Sequence, residues 1–156
     1  MPISKNVGYI REPFNIPTIG KIQRKEALRI IEVALSINDV GDNMKSKVID
    51  LMIWNYAGAI KGAYGKYRGK YCSIKSMENE DAELIHEHVF ERKQIIKKIL
   101  QEGKITEKIK NIMVTCVVTK EEDNELKSLA KNKLGWDRYK AANIKVIDME
   151  NNVEYI

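Results

Sequence analysis

The chain has 156 residues, 44% apolar and 31% charged, enough for one packed core and too few for two comfortable domains. Its net charge of +5 and pI of 9.1 permit a polyanionic partner. No stretch reaches the ~20 apolar residues that cross a bilayer. The N-terminus, Met1-Pro2-Ile3-Ser4-Lys5-Asn6, lacks the apolar run of a secretory signal, and Cys72 and Cys116 give no disulfide framework. These features together predict a cytoplasmic protein without membrane contact.

Residues 1–20 hold all three prolines together with Gly8 and Gly20, and read as an irregular N-terminal arm. Residues 21–156 then form a single α+β domain. From Lys21 the pattern is helical, with Ile22, Leu28, Ile31 and Leu35 recurring every three or four residues until Asn38-Asp39-Val40-Gly41-Asp42-Asn43 breaks it. A second helix carries Met44, Val48, Leu51, Met52, Ala59 and Ile60 on its expected buried side and ends among Gly62, Gly65 and Gly69. A third, long helix is predicted from about Glu78 to Leu100. Glu78, Glu80 and Asp81 would complement the dipole in its first turn.

The last third changes character. Ile112-Met113-Val114-Thr115-Cys116-Val117-Val118 is rich in β-branched residues and reads as a buried strand. Thr119-Lys120-Glu121-Glu122 is a capping box that opens a helix to about Asn132. After Gly135 a short helix, 136–142, gives way to a strand at 144–148. A turn at Asn151-Asn152 and a second short strand at 153–156 follow. The expected fold class is α+β, with a mainly helical N-terminal two-thirds and a small C-terminal β-sheet.

Two features point to function. Residues 51–77 contain no Asp or Glu, and hold Lys61, Lys66, Arg68, Lys70 and Lys75 interleaved with Tyr56, Tyr64, Tyr67 and Tyr71. Cations neutralise phosphates, and tyrosine rings stack on unpaired bases. Lys61, Lys66, Tyr67, Arg68, Lys70, Tyr71 and Lys75 are therefore the candidate contacts to DNA or RNA. The bland alternative is a solvated loop whose tyrosines pack on the core while its lysines face water.

The second feature is Leu84-Ile85-His86-Glu87-His88-Val89-Phe90-Glu91-Arg92-Lys93, which carries both histidines of the chain. On a helix His86 and His88 point about 200° apart and cannot share an ion. Glu83 and His86 make half of a di-iron pair, but no third histidine exists to complete one. Cys72, Cys116, His86 and His88 are zinc-type ligands without the close pairing of zinc modules.

Glu87-His88-Val89-Phe90-Glu91-Arg92 resembles the start of HNH-type nucleases. The resemblance implies that His88 is the general base, that Glu87 is a ligand or catalytic partner, and that a divalent ion such as Mg²⁺ or Mn²⁺ is the cofactor. The residues also fit a structural reading, in which His88 fills a half-buried gap between Leu84 and Ile95 and Glu83, Glu87 and Glu91 form a solvated acidic stripe.

Two further classes remain open. The element order from residue 78 onward matches a winged helix, with Arg138, Lys140 and Lys145 as DNA-contacting cations, although Trp136 and Tyr139 read as core anchors. Segregated charge, basic over 51–77 and acidic over 78–91 and 121–125, also suits a protein-binding inhibitor or adaptor without catalysis. The reading that draws on most residues is a nucleic-acid-interacting protein, with nuclease chemistry as what the histidine segment would add.

Overall fold

The computed structural model describes residues 18–58, 69–79 and 82–156. Residues 1–17 of the expected 1–20 arm, the predicted helix residues Ala59 and Ile60, the predicted contacts Lys61, Lys66, Tyr67 and Arg68, and Glu80 and Asp81 lie outside the described residues, while the arm's last three residues, 18–20, already belong to a helix. The described residues fall into two compact units, one helical (18–58 and 90–114) and one built on a sheet (69–79, 82–89 and 115–156). The fold class is α+β.

In the helical unit, α1 (Thr18–Ser36) and α2 (Asp42–Gly58) form a hairpin. Later in the chain this unit adds α4 (Arg92–Glu102) and α5 (Glu107–Ile112). The core is Ala27 and Ile31 of α1, Ile49, Ile53 and Tyr56 of α2, Ile95 and Ile99 of α4, and Ile109 and Met113. Each set recurs at three- or four-residue spacing, which lines one side of a helix. Burying one such isoleucine contributes about 1.5–3 kcal/mol.

Local signals set the limits of these helices. Gly103, at φ 65°, closes α4 by donating its amide to the Ile99 carbonyl, a left-handed position that glycine takes without steric cost. Thr106 caps α5 by accepting from the Ile109 amide at 3.2 Å.

On α1 the expected stripe meets the core through Ile31, with Leu28 and Leu35 packed beside it, and on α2 Met52 does so, but other expected positions point away. Ile22, Met44 and Leu51, expected inside, are exposed, while Ile49 and Ile53 are fully buried. On α2 the apolar residues lie on more than one side, so spacing alone does not single out Ile49 and Ile53 as the buried pair.

In the sheet unit, β1 (Tyr71–Ser73), β2 (Leu84–His88), β3 (Thr115–Thr119), β4 (Val146–Asp148) and β5 (Val153–Glu154) lie in the order β2-β3-β1-β4-β5. β1 runs parallel to β3, and the other neighbours are antiparallel. Among the described residues, three helices belong to this unit: α3 (Ile74–Glu78), α6 (Lys120–Leu129) and α7 (Trp136–Ala141). Every residue of β3 is buried, with Cys116, Val117 and Val118 at its centre, although the strand expected from Ile112 starts only at Thr115, because Ile112 closes α5. The capping box is present as read, with Thr119 accepting from the Glu122 amide and Glu122 accepting from that of Thr119. Glu122 also takes a hydrogen bond from Ser73 Oγ, which ties α6 to β1.

The long helix expected over 78–100 is corrected. α3 ends at Glu78, residues 84–88 are strand β2, and helix resumes only at Arg92. Pairing of all five residues of β2 with β3 overrides the helical propensity of the acidic flank, since strand formation depends on what lies alongside. The sheet therefore takes two of its strands from the middle of the chain. Among the described residues no helix is long and apolar enough to cross a membrane.

Candidate nucleic-acid interface

Strand register arranges the sequence-predicted residues. Glu87 pairs with Cys116, Cys116 with Tyr71 and Tyr71 with Asp148, so these four side chains make one row across the same sheet face. His86 and His88, one residue to either side of Glu87, turn to the other face. On a strand the two histidines share a face, whereas the helical reading set them apart. Glu83 and His86, three residues apart, consequently do not pair on one face.

Over the Glu87 face lies α7. Arg138 Nη2 donates to Glu87 Oε1 at 2.8 Å, and Tyr139 OH donates to Glu87 Oε2. The same guanidinium donates to the carbonyls of His88 and Val89. Burial pushes the Glu87 carboxyl above its usual range, with the Tyr139 hydroxyl and the Arg138 guanidinium pulling against that rise. Burial likewise lifts the Tyr139 hydroxyl and the Cys116 thiol well above their ordinary values, which leaves Cys116 a poor nucleophile.

These positions bear on the nuclease expectation. To ligate a divalent ion Glu87 would have to leave Arg138 and Tyr139, and both ring nitrogens of His88 are buried. Among the described residues no group of three or more His, Cys, Asp or Glu is placed to hold a metal ion. The described residues do not fit a Mg²⁺ or Mn²⁺ centre at this strand. The proposed solvated stripe is also corrected: Glu83, Glu87 and Glu91 sit on no common helix, and Glu87 is internal. In the 121–125 cluster Glu122 and Asp123 are buried, so that acidic run is only partly a surface. The winged-helix cation Arg138 is buried in the ion pair with Glu87, out of reach of a phosphate. Lys145 bonds Glu154 at 3.2 Å, and Lys140 is exposed.

Along the same row, Tyr71 enters an aromatic cluster that sequence reasoning did not assemble. Its ring lies 5.1 Å from Trp136 and 4.8 Å from Tyr155, centroid to centroid, and Trp136 lies 5.0 Å from Tyr155. Trp136 also meets Tyr139 at 5.1 Å, which links the cluster to the buried ion pair. These are edge-on and tilted contacts of the kind aromatic quadrupoles favour. Tyr155 is 44% exposed, and Trp136 and Tyr71 are half-buried. The sequence reads Trp136 as a core anchor and places Tyr155 within the expected strand at 153–156, without joining the two. Tyr155 follows directly on the edge strand β5, and no spacing in the sequence singles it out.

Lys70 sits beside this cluster, its ammonium 5.4 Å from the Tyr71 ring centroid and 3.0 Å from Glu150. Burial alone would lower Lys70, but the Glu150 carboxylate, with Tyr71 and Asp148, more than offsets it and raises the group above its usual value. Tyr71 is raised as well, by burial, with Lys70 opposing. At neutral pH the pair is thus a cation beside a protonated phenol, both able to donate to an oxyanion. Lys75, in α3, is exposed. No family model matches the chain, and neither a curated protein nor a solved structure matches it.

Proposed function

We propose that this protein binds nucleic acid, and single-stranded segments in particular, through the acid-free basic segment and the aromatic cluster at its end. Lys70 and Lys75, with Lys61, Lys66 and Arg68 of the same segment, supply charge for phosphates. Tyr71, Tyr155 and Trp136, together with Tyr67, supply ring surface for unpaired bases. The observation that carries this reading is the meeting of Tyr71, Trp136 and Tyr155 beside the charged Lys70, with Tyr155 left open to solvent. Aromatic platforms beside cations suit single strands, because every base has a face to stack and every nucleotide a phosphate to neutralise. Metal-dependent cleavage at His88 remains the additional activity implied by the HNH resemblance, and the Glu87–Arg138 pair weighs against it.

Fluorescence polarisation against single- and double-stranded DNA and RNA oligonucleotides, from about 50 to 200 mM salt, tests the proposal. Affinity should be greater for single strands and fall linearly in log–log form with salt. Absence of salt-dependent binding to any of the four would remove the reading.

A further inference from the structure

The helical hairpin of α1 and α2 shows a second apolar face. On α1 the core stripe is Ala27, Ile31 and Ala34. At 100° per residue, Ile22, Ile30 and Val33 fall on a separate stripe, interrupted by Glu26, and Ile37 follows just past the end of the helix. On α2 the core stripe is Ile49, Ile53 and Tyr56, and Met44, Val48 and Leu51 form the separate one. Ile22, Ile30, Val33, Ile37, Met44 and Leu51 are each between 39% and 58% exposed.

Both second stripes emerge on one side of the hairpin. The helices are antiparallel neighbours, with Gln23 near the start of α1 donating to the Asn55 carbonyl near the end of α2. α4 docks on the opposite side of α2, where Arg92 bonds Asp50 at 2.7 Å and lies over Trp54 at 4.7 Å. Turning from the core side of each helix past its neighbour leads to the second stripe, and antiparallel order brings the two stripes out together.

We infer that this face is the surface through which two copies of the chain associate, pairing their hairpins as a four-helix bundle. Apart from Glu26 between Ile22 and Ile30, the stripes step by three and four residues, the spacing with which bundle helices interlock. The exposed fractions correspond to roughly 500 Å² of apolar surface, near the top of what an ordinary monomer leaves in one patch (about 300–600 Å²). This area is smaller than the ~800 Å² that each partner contributes to a standard interface, so the association is a weak one that dilution reverses. A second copy supplies an identical antiparallel pair of seams, which a two-fold axis brings face to face.

Sedimentation equilibrium across roughly two decades of micromolar concentration tests the inference. The wild-type chain should reach twice its 18.0 kDa mass and dissociate on dilution. Ile30→Glu combined with Leu51→Glu should leave a single 18.0 kDa species with unchanged helical circular dichroism. If that variant loses helix, the milder Ile30→Gln and Leu51→Gln pair should weaken association at least about tenfold. Leu134→Glu, at an exposed position of the sheet unit, should leave it intact. A wild type that stays monomeric, a dimer indifferent to the Ile30 and Leu51 changes, or equal loss with Leu134→Glu would each overturn the assignment.

Discussion

Glu87 and Arg138 meet at 2.8 Å with side chains only 10% and 6% exposed, although 51 positions separate them in the chain. The pair joins β2 to α7, and the guanidinium also satisfies two carbonyls at the end of that strand. A charge so placed is costly to strand alone, which makes it the most sensitive point of the sheet unit.

Arg138→Met should therefore destabilise the protein by about 3–5 kcal/mol, read from denaturant unfolding. The pH dependence gives a second readout. Burial raises Glu87 in the folded state above its ordinary 4.5, so between that value and the raised one the folded chain holds a proton that the unfolded chain has lost. Its contribution to stability is present in full below the window and falls as pH rises through it. Without the guanidinium the folded value climbs further. The deficit of Arg138→Met should then be larger at neutral pH than near pH 4.5; a deficit independent of pH would count against ionised Glu87 as the cause.

For the proposed interface, Tyr155→Ala should weaken single-strand binding by about 1–3 kcal/mol, the contribution of one stacked base, with little change in salt slope. Combined Lys66→Ala, Arg68→Ala and Lys70→Ala should instead flatten the slope by about one unit per lost phosphate contact. Opposite signatures from the two variants, measured in one titration series, separate ring stacking from charge.

His88→Ala addresses the HNH resemblance directly. With its ring nitrogens buried in β2, the substitution should lower stability by about 1–3 kcal/mol and leave nucleic-acid affinity unchanged. No Mg²⁺- or Mn²⁺-dependent cleavage should be detectable in the wild type. Cleavage by the wild type that His88→Ala abolishes at constant affinity would establish a general base there instead, since such a group acts mainly on the transition state.

Thr119→Ala tests the capping box. It removes an acceptor at the start of α6 and loosens Glu122, which also holds Ser73 of β1. A loss of about 1–2 kcal/mol is expected from thermal or denaturant melts.

What the chain declares by itself is local. The capping box at Thr119, the buried run around Val117, the short helix at Trp136 and the turn at Asn151 were all legible, because side-chain-to-backbone bonding and β-branched composition act within a few residues. The strand at 84–88 was not legible, since its conformation is decided by β3, some thirty residues later in the chain. With that strand went the placing of His86 and His88 on one face and the true partner of Glu87. Spacing likewise found the core side of α1 at Leu28, Ile31 and Leu35, but on α2 it placed Met44 and Leu51 inside where Ile49 and Ile53 are buried. The basic segment was evident from composition, yet only the fold brought Tyr71 to Trp136 and Tyr155. Such long-range choices rest on burial and pairing between distant segments, and neither is encoded in the period of any one of them.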